Sequence, residues 1–239
     1  MSLPRVVRFD GRDELVDDLA RRLMALIVAR QSVNDSASLC LTGGDLANEV
    51  YSRMAELTPQ FTVRPDDIHL WWNWDYFIAT DDPQRNSLQA LSRLAGAAPL
   101  DPAKIHPVPS SSTTPDPESG AAQYAQELKE AAPIDVCLLE LGSQGQIAGL
   151  YPPIRRYPES VLVAGVTGVP GDDRHLITMT DHAIGLSSEV WVMASGLDVA
   201  PALHQLDSAA ATFLPDDEDL LWFADHDAVT QLPFHHCTL

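Results

Sequence analysis

The residues best placed to do chemistry lie at the ends of apolar runs. Val136 to Leu141 is apolar apart from Glu140 and is followed by Gly142-Ser143-Gln144-Gly145-Gln146. A short run rich in β-formers reads as a buried strand. Gly142 and Gly145 let the chain turn sharply and bring its backbone close to a ligand. Gln146 to Leu150 then reads as the start of a helix that Pro152 stops early. Ligands of open α/β sheets bind at the carboxyl ends of strands, which makes this turn a candidate site; a plain connecting turn has the same composition. A second such place is the strand Ser38-Leu39-Cys40-Leu41, followed by Thr42-Gly43-Gly44-Asp45 and a helix from about Leu46 to Leu57. Strand, Gly-Gly, helix presents backbone N–H groups and a helix N-terminus to an anion. The alternative is an ordinary turn, with Asp45 as the helix N-cap.

These turns need elements to hold them. Leu15, Leu19, Leu23, Leu26 and Ile27 recur at helical spacing within residues 9–31, and Asp and Glu in the first turn oppose the helix dipole. Apolar runs near 67–72, 161–166, 189–194 and 220–223 read as further strands. Helices are expected up to Leu94, over about 117–131 and near 200–206. Residues 99–117, broken by prolines and a Ser-Thr run, read as an exposed connection with a short edge strand at Ile105-His106-Pro107-Val108.

Composition narrows the function. The 239 residues suffice for one α/β domain with a full core, or for two small ones. A net charge of −19 argues against nucleic acid and against anionic membrane as partners. No apolar run spans a bilayer and no N-terminal signal is seen. Cys40, Cys137 and Cys237 include no pair with metal-clamp spacing, and two lie in apolar runs. This points to a reduced, cytoplasmic protein. His235-His236-Cys237 has ligand chemistry, but three adjacent residues rarely converge on one ion. No metal and no cofactor are expected.

The two glycine turns and several other stretches resemble the 6-phosphogluconolactonases. That family carries Leu-Gly-Met-Gly-x-Asp-Gly-His-x-Ala-Ser-Leu-Phe-Pro. Here the frame stands as Leu139, Leu141, Gly142, Gly145, Ala148, Leu150, Tyr151 and Pro152, with Gln144 at the Asp position and Gln146 at that of the general-base His. The family's phosphate loop, Ser-Gly-Gly-Ser-Thr-Pro, corresponds to Thr42-Gly43-Gly44-Asp45-Leu46-Ala47, and a carboxylate at Asp45 repels a phosphate there. Members from actinobacteria have Trp-Trp-Gly-Asp-Glu-Arg-Phe-Val where this chain has Trp71-Trp72-Asn73-Trp74-Asp75-Tyr76-Phe77-Ile78. Asp75 is the acid that remains. Asp81-Asp82-Pro83-Gln84-Arg85-Asn86 matches Asp-Asp-Pro-x-Arg-Asn, whose Asn lies beside the substrate. Asn86 also reads as a helix cap. Leu176 and Val199 stand at an Arg and a Lys position, and Arg174 lies two residues upstream of the first.

The resemblance covers nearly the whole chain. It implies one domain over 1–239, with a mainly parallel open sheet, helices on both faces, and a small β-rich extension near 100–115 and 168–180. Gly43, Gly44, Asp75, Arg85, Asn86, Gly142, Gly145 and Arg174 are then the substrate-binding candidates, with Gln144 and Gln146 at the catalytic positions, all converging on one cleft. Lactone hydrolysis needs a base, donors to the developing oxyanion and cations for the phosphate. An amide accepts no proton near neutral pH. Three functions follow: a lactonase of the pentose phosphate pathway with a rearranged site; a non-catalytic relative that regulates or scaffolds a pentose-phosphate enzyme; or a binder or hydrolase of a different, neutral polar ligand, which Trp74, Tyr76 and two glutamines would suit.

Overall fold

The computed structural model describes residues 5–94, 99–131, 133–168, 171, 173–205, 214 and 220–232. In chain order it runs β1 (Arg5–Phe9), α1 (Arg12–Asn34), β2 (Ala37–Leu41), α2 (Asp45–Leu57), β3 (Ile68–Trp72), β4 (Trp74–Tyr76), α3 (Asn86–Leu94), β5 (Ile105–His106), α4 (Pro117–Glu130), β6 (Val136–Glu140), β7 (Val163–Val166), β8 (Leu176–Met179), α5 (Asp181–Ile184), β9 (Glu189–Ala194), α6 (Ala200–Gln205) and β10 (Leu220–Asp225).

Seven strands form one parallel sheet in the order β1-β10-β9-β6-β2-β3-β5. From β2 the chain winds outward through β3 and β5. It then returns to β6 and winds the other way through β9 and β10. Right-handed crossovers place α1, α2 and α3 on one face and α4 and α6 on the other. The winding reverses between β2 and β6, so the loops leaving these two strands part there and leave a crevice.

Strands covered on both faces have no reason to alternate, and β6 does not. Val136, Cys137, Leu138 and Leu139 are all fully buried, as is Val192 on β9. Leu15, Leu19, Leu23 and Ile27 form the buried stripe of α1. The Tyr124 hydroxyl pins α4 to the sheet: it accepts from Trp72 N at 3.0 Å and lies 3.1 Å from the carbonyls of Trp72 and His106. Cys40 and Cys137 sit side by side in the β2–β6 register, both buried and free. Burial is the first cause that pushes the Cys40 thiol well above its ordinary value.

The sheet departs from expectation in three places. Residues 163–166 are not in the main sheet. They form β7 of a separate antiparallel sheet ordered β4-β8-β7, which also contains 176–179. Residues 105–106 belong to the edge of the main sheet beside β3, not to an extension. Residues 5–9, ahead of the first helix, are a strand that closes the other edge against β10. The His235-His236-Cys237 tail lies outside the described residues.

Candidate functional site

Three loops meet above the crevice. The loop after β2 contains Gly43 and Gly44. Gly44, at φ 137°, is the N-cap of α2 and has no side chain of its own to cap it. Asp45 is its exposed first residue, which corrects the expectation that Asp45 is the cap. Both glycines are required by packing. A Cβ on Gly43 would lie 2.1 Å from the Asn86 side chain, and one on Gly44 would lie 2.2 Å from the carboxylate of Glu140.

Glu140, the last residue of β6, turns its carboxylate into the start of α2. Its Oε2 accepts from Ala47 N at 2.8 Å, and Leu46 N, beside it, also favours the charged carboxylate. Burial outweighs these donors and raises the carboxyl from 4.5 to about 7, with Asp45 adding to the rise and Arg12 opposing it. Arg12, at the start of α1, is tied to Glu49 of α2 (2.9 and 3.1 Å) and to Ser195 Oγ (3.1 Å). Ser195 Oγ donates to Asp225 Oδ2 at 2.5 Å, and Asp225 also takes the N–H groups of Gly196 and Ala228. Sequence reasoning missed both Glu140 and Arg12. Glu140 was visible as the one polar residue of its run, whereas nothing set Arg12 apart.

After β6 the loop folds on itself. Gly142 N donates to Gln146 O and Gly145 N to Gly142 O, each at 2.9 Å. Gly145 is at φ 74°. The Gln146 side chain lies back over Gly142, where a Cβ would be 1.9 Å from Nε2, and its Oε1 accepts from Gln144 N at 3.0 Å. No helix follows, contrary to expectation. Ile147 and Leu150 exchange two hydrogen bonds across a tight turn with Ala148 at φ 49° and Gly149 at φ 70°. Gly149 approaches the Trp74 ring so closely that a Cβ would sit 2.8 Å from it, and Thr178 Oγ1 donates to Ala148 O at 2.7 Å. The loop is thereby fixed to the small sheet.

The third wall is residues 73–87. Asn73 Nδ2 reaches Leu138 O at 2.5 Å. Asp75 is fully buried and takes the place of a cap for α3. Its Oδ1 accepts from Asn86 N (2.8 Å), and its Oδ2 from Ser87 N (3.1 Å) and Ser87 Oγ (2.7 Å). Asn86 is thus capped rather than capping; its Nδ2 donates to Trp74 O at 3.3 Å. Arg85 is 2% exposed, 3.1 Å from Asp75 Oδ2, and also donates to Val108 O. Its guanidinium is committed to the wall, a correction to its expected place in the cleft. Arg174 lies 3.7 Å over the Tyr76 ring and donates to Gln84 Oε1 at 2.7 Å. Gly43 therefore packs on Asn86, Gly44 on Glu140 and Gly142 on Gln146, while Asp75 and Arg85 are buried beside Asn86 and Arg174 lies over Tyr76. Among the described residues no group of three or more His, Cys, Asp or Glu could hold a metal, and no helix is long and apolar enough to cross a membrane.

The raised carboxyl of Glu140 has a stability consequence. A carboxyl with a folded pKa near 7 and an ordinary value of 4.5 binds its proton more tightly in the folded state. Its contribution is complete below about pH 4.5 and is lost as pH rises through 7. Part of the side chain remains in contact with solvent; screening trims the cost at high pH to about 1–3 kcal/mol. Glu140→Gln, which keeps the acceptor, should be more stable than the parent by that amount at pH 8 and equal to it near pH 4. Urea denaturation at both pH values checks this, and equal stability at pH 8 contradicts it.

A doubly wound parallel sheet with glycine loops at its reversal point defines an open-sheet α/β protein whose ligand site is expected at that point. The profile of glucosamine-6-phosphate isomerases/6-phosphogluconolactonase matches residues 10–221, and the chain belongs to that family. It is 32% identical to the 6-phosphogluconolactonase of Streptomyces coelicolor over 249 aligned positions, covering 96% of this chain and 95% of the relative. It is 30% identical to that of Mycobacterium tuberculosis, covering 94% and 97%. Among solved structures, 6-phosphogluconolactonase from Trypanosoma cruzi superposes with a TM-score of 0.80 at 18% identity, over 97% of this chain and 98% of that one. The enzyme from Thermotoga maritima gives 0.77 at 20% identity, over 92% and 99%. At these identities the structural likenesses speak for the fold alone.

Proposed function

We propose that residues 1–239 act as one unit whose cleft binds a lactone of a polyhydroxy acid, and that ring opening of 6-phosphogluconolactone is impaired in it. Family membership supports the substrate class. One observation carries the impairment: the side chain at the general-base position is Gln146, hydrogen-bonded to Gln144 N and laid over Gly142. An amide orients water but cannot take its proton. Gly43, Gly44, Asn86, Gly142, Gly145 and Gln144 would contact the ligand, with Asp75, Arg85 and Arg174 supporting them. A regulatory role beside a pentose-phosphate enzyme is the second reading, favoured by the same amide. The buried free thiols of Cys40 and Cys137 support a cytoplasmic location. Proton release in a pH-stat, measured against spontaneous hydrolysis of freshly generated lactone, tests the proposal. Rates as high as those of the Streptomyces coelicolor relative would overturn it.

A further inference from the structure

We infer that Glu140 is the specificity-determining residue of this cleft: its carboxylate is the built-in anion of the cradle formed by Gly43, Gly44 and the start of α2, and it restricts the site to lactones that bring no phosphate to that end. The inference rests on the lactone reading, but its central test does not.

A helix start alone would say nothing. Here a carboxylate already sits at the helix start, because Ala47 N donates to Glu140 Oε2 at 2.8 Å and Leu46 N stands beside it. The space is also taken: the carboxylate atoms crowd to 2.2–2.5 Å of where a Gly44 Cβ would stand. A phosphate bound to these N–H groups would have to displace a side chain anchored to the neighbouring strand of the same sheet. It would also meet the wrong charges. Asp45 opens the helix and Glu49 follows one turn on, while Arg12, the cation facing Glu140, is engaged by Glu49 and Ser195. An incoming dianion would find its donors occupied and carboxylates beside it. A neutral sugar lactone asks for none of this. It needs hydrogen-bond partners such as Gln144, Gln146 and Asn86, and ring contacts such as Trp74.

The test is calorimetric titration at pH 8 and low salt, where Glu140 is charged and electrostatic binding is least screened, with inorganic phosphate and 6-phosphogluconate as the probes. The parent should bind neither below the millimolar range. Glu140→Ala, which empties the cradle, should bind both at least about 10-fold more tightly, a change equal to about 1.4 kcal/mol. Glu140→Gln, which removes the charge but keeps the shape, should fall between. The glutamine variant is nearly isosteric, so it decides the matter should the alanine variant not fold. Unchanged phosphate affinity in a folded variant, or micromolar binding by the parent, overturns the inference. Binding of unphosphorylated gluconolactone is read separately. If gluconolactone binds to no variant but phosphate binding rises as stated, the lactone reading fails while the assignment of Glu140 to the anion cradle stands.

Discussion

Given freshly generated 6-phosphogluconolactone, the protein is expected to open the ring about 10²–10⁴ times more slowly than a relative with histidine at the place of Gln146. That range is what a positioned general base contributes. The amide at 146, whose Oε1 accepts from Gln144 N, forms hydrogen bonds but takes up no proton near neutral pH. Gln146→His alone should recover little. The imidazole would return a base, but the phosphate would still find Glu140 on the N–H group of Ala47 at the start of α2. Gln146→His combined with Glu140→Gly should recover far more than either change, since one restores proton transfer and the other opens the anchor. Steady-state rates above the spontaneous reaction decide it. Full recovery by Gln146→His alone would show that the cradle plays no part in limiting turnover.

Breaking the Asp75–Arg85 pair should cost about 3–5 kcal/mol of stability, because removing one partner leaves a buried charge without its counterpart. Both groups are almost wholly shielded, at 0% and 2% exposure. Burial raises the Asp75 carboxyl even with Arg85 beside it. Loss of the guanidinium would raise it further. The sign follows: a carboxyl raised in the folded state destabilises as pH climbs through its folded pKa, so Arg85→Ala should be least stable at neutral and alkaline pH and recover part of the loss in mild acid. Asp75→Ala should cost at least as much, since Asn86 N, Ser87 N and Ser87 Oγ lose their acceptor together. Denaturant midpoints for each variant across pH 5 to 8 measure this. A loss under about 1 kcal/mol would show that the pair is structurally dispensable.

How much of this could be read from the chain depends on the range of the interaction. The strands at 37–41, 68–72 and 136–140 were legible because burial on both faces makes them continuous apolar runs. Residues 163–166 were equally legible as a strand, yet their sheet was not, because a β-branched run reads alike in either sheet. The loop after Gln146 was misread for a local reason. Ala148 favours helix, but it sits at φ 49° because the Ile147–Leu150 pairing and the Trp74 contact at Gly149 prevail. The glycines of the cleft were found because their spacing is local. Arg85 was assigned to the ligand because nothing local reveals that a carboxylate ten positions earlier claims it. Glu140 stood out in its run, but its partner Ala47 lies 93 positions away.

The reversal of winding between β2 and β6 divides the sheet into two wings. One is β2, β3 and β5; the other is β6, β9, β10 and β1. Along their joint, β2 and β6 share the register pairs Leu39–Val136 and Cys40–Cys137, with Ser38 and Asp135 bonded just before them. Above that short seam the wings are fastened by side chains: Asn73 reaches Leu138 O, and Glu140 reaches Ala47 N. Glu140 is therefore a clasp as well as an occupant. In a cleft held open at its seam, an anion bound across the two loops would itself do the fastening, so binding and rigidity would rise together. This chain carries its fastener covalently, and its two wings are joined whether or not a ligand is present.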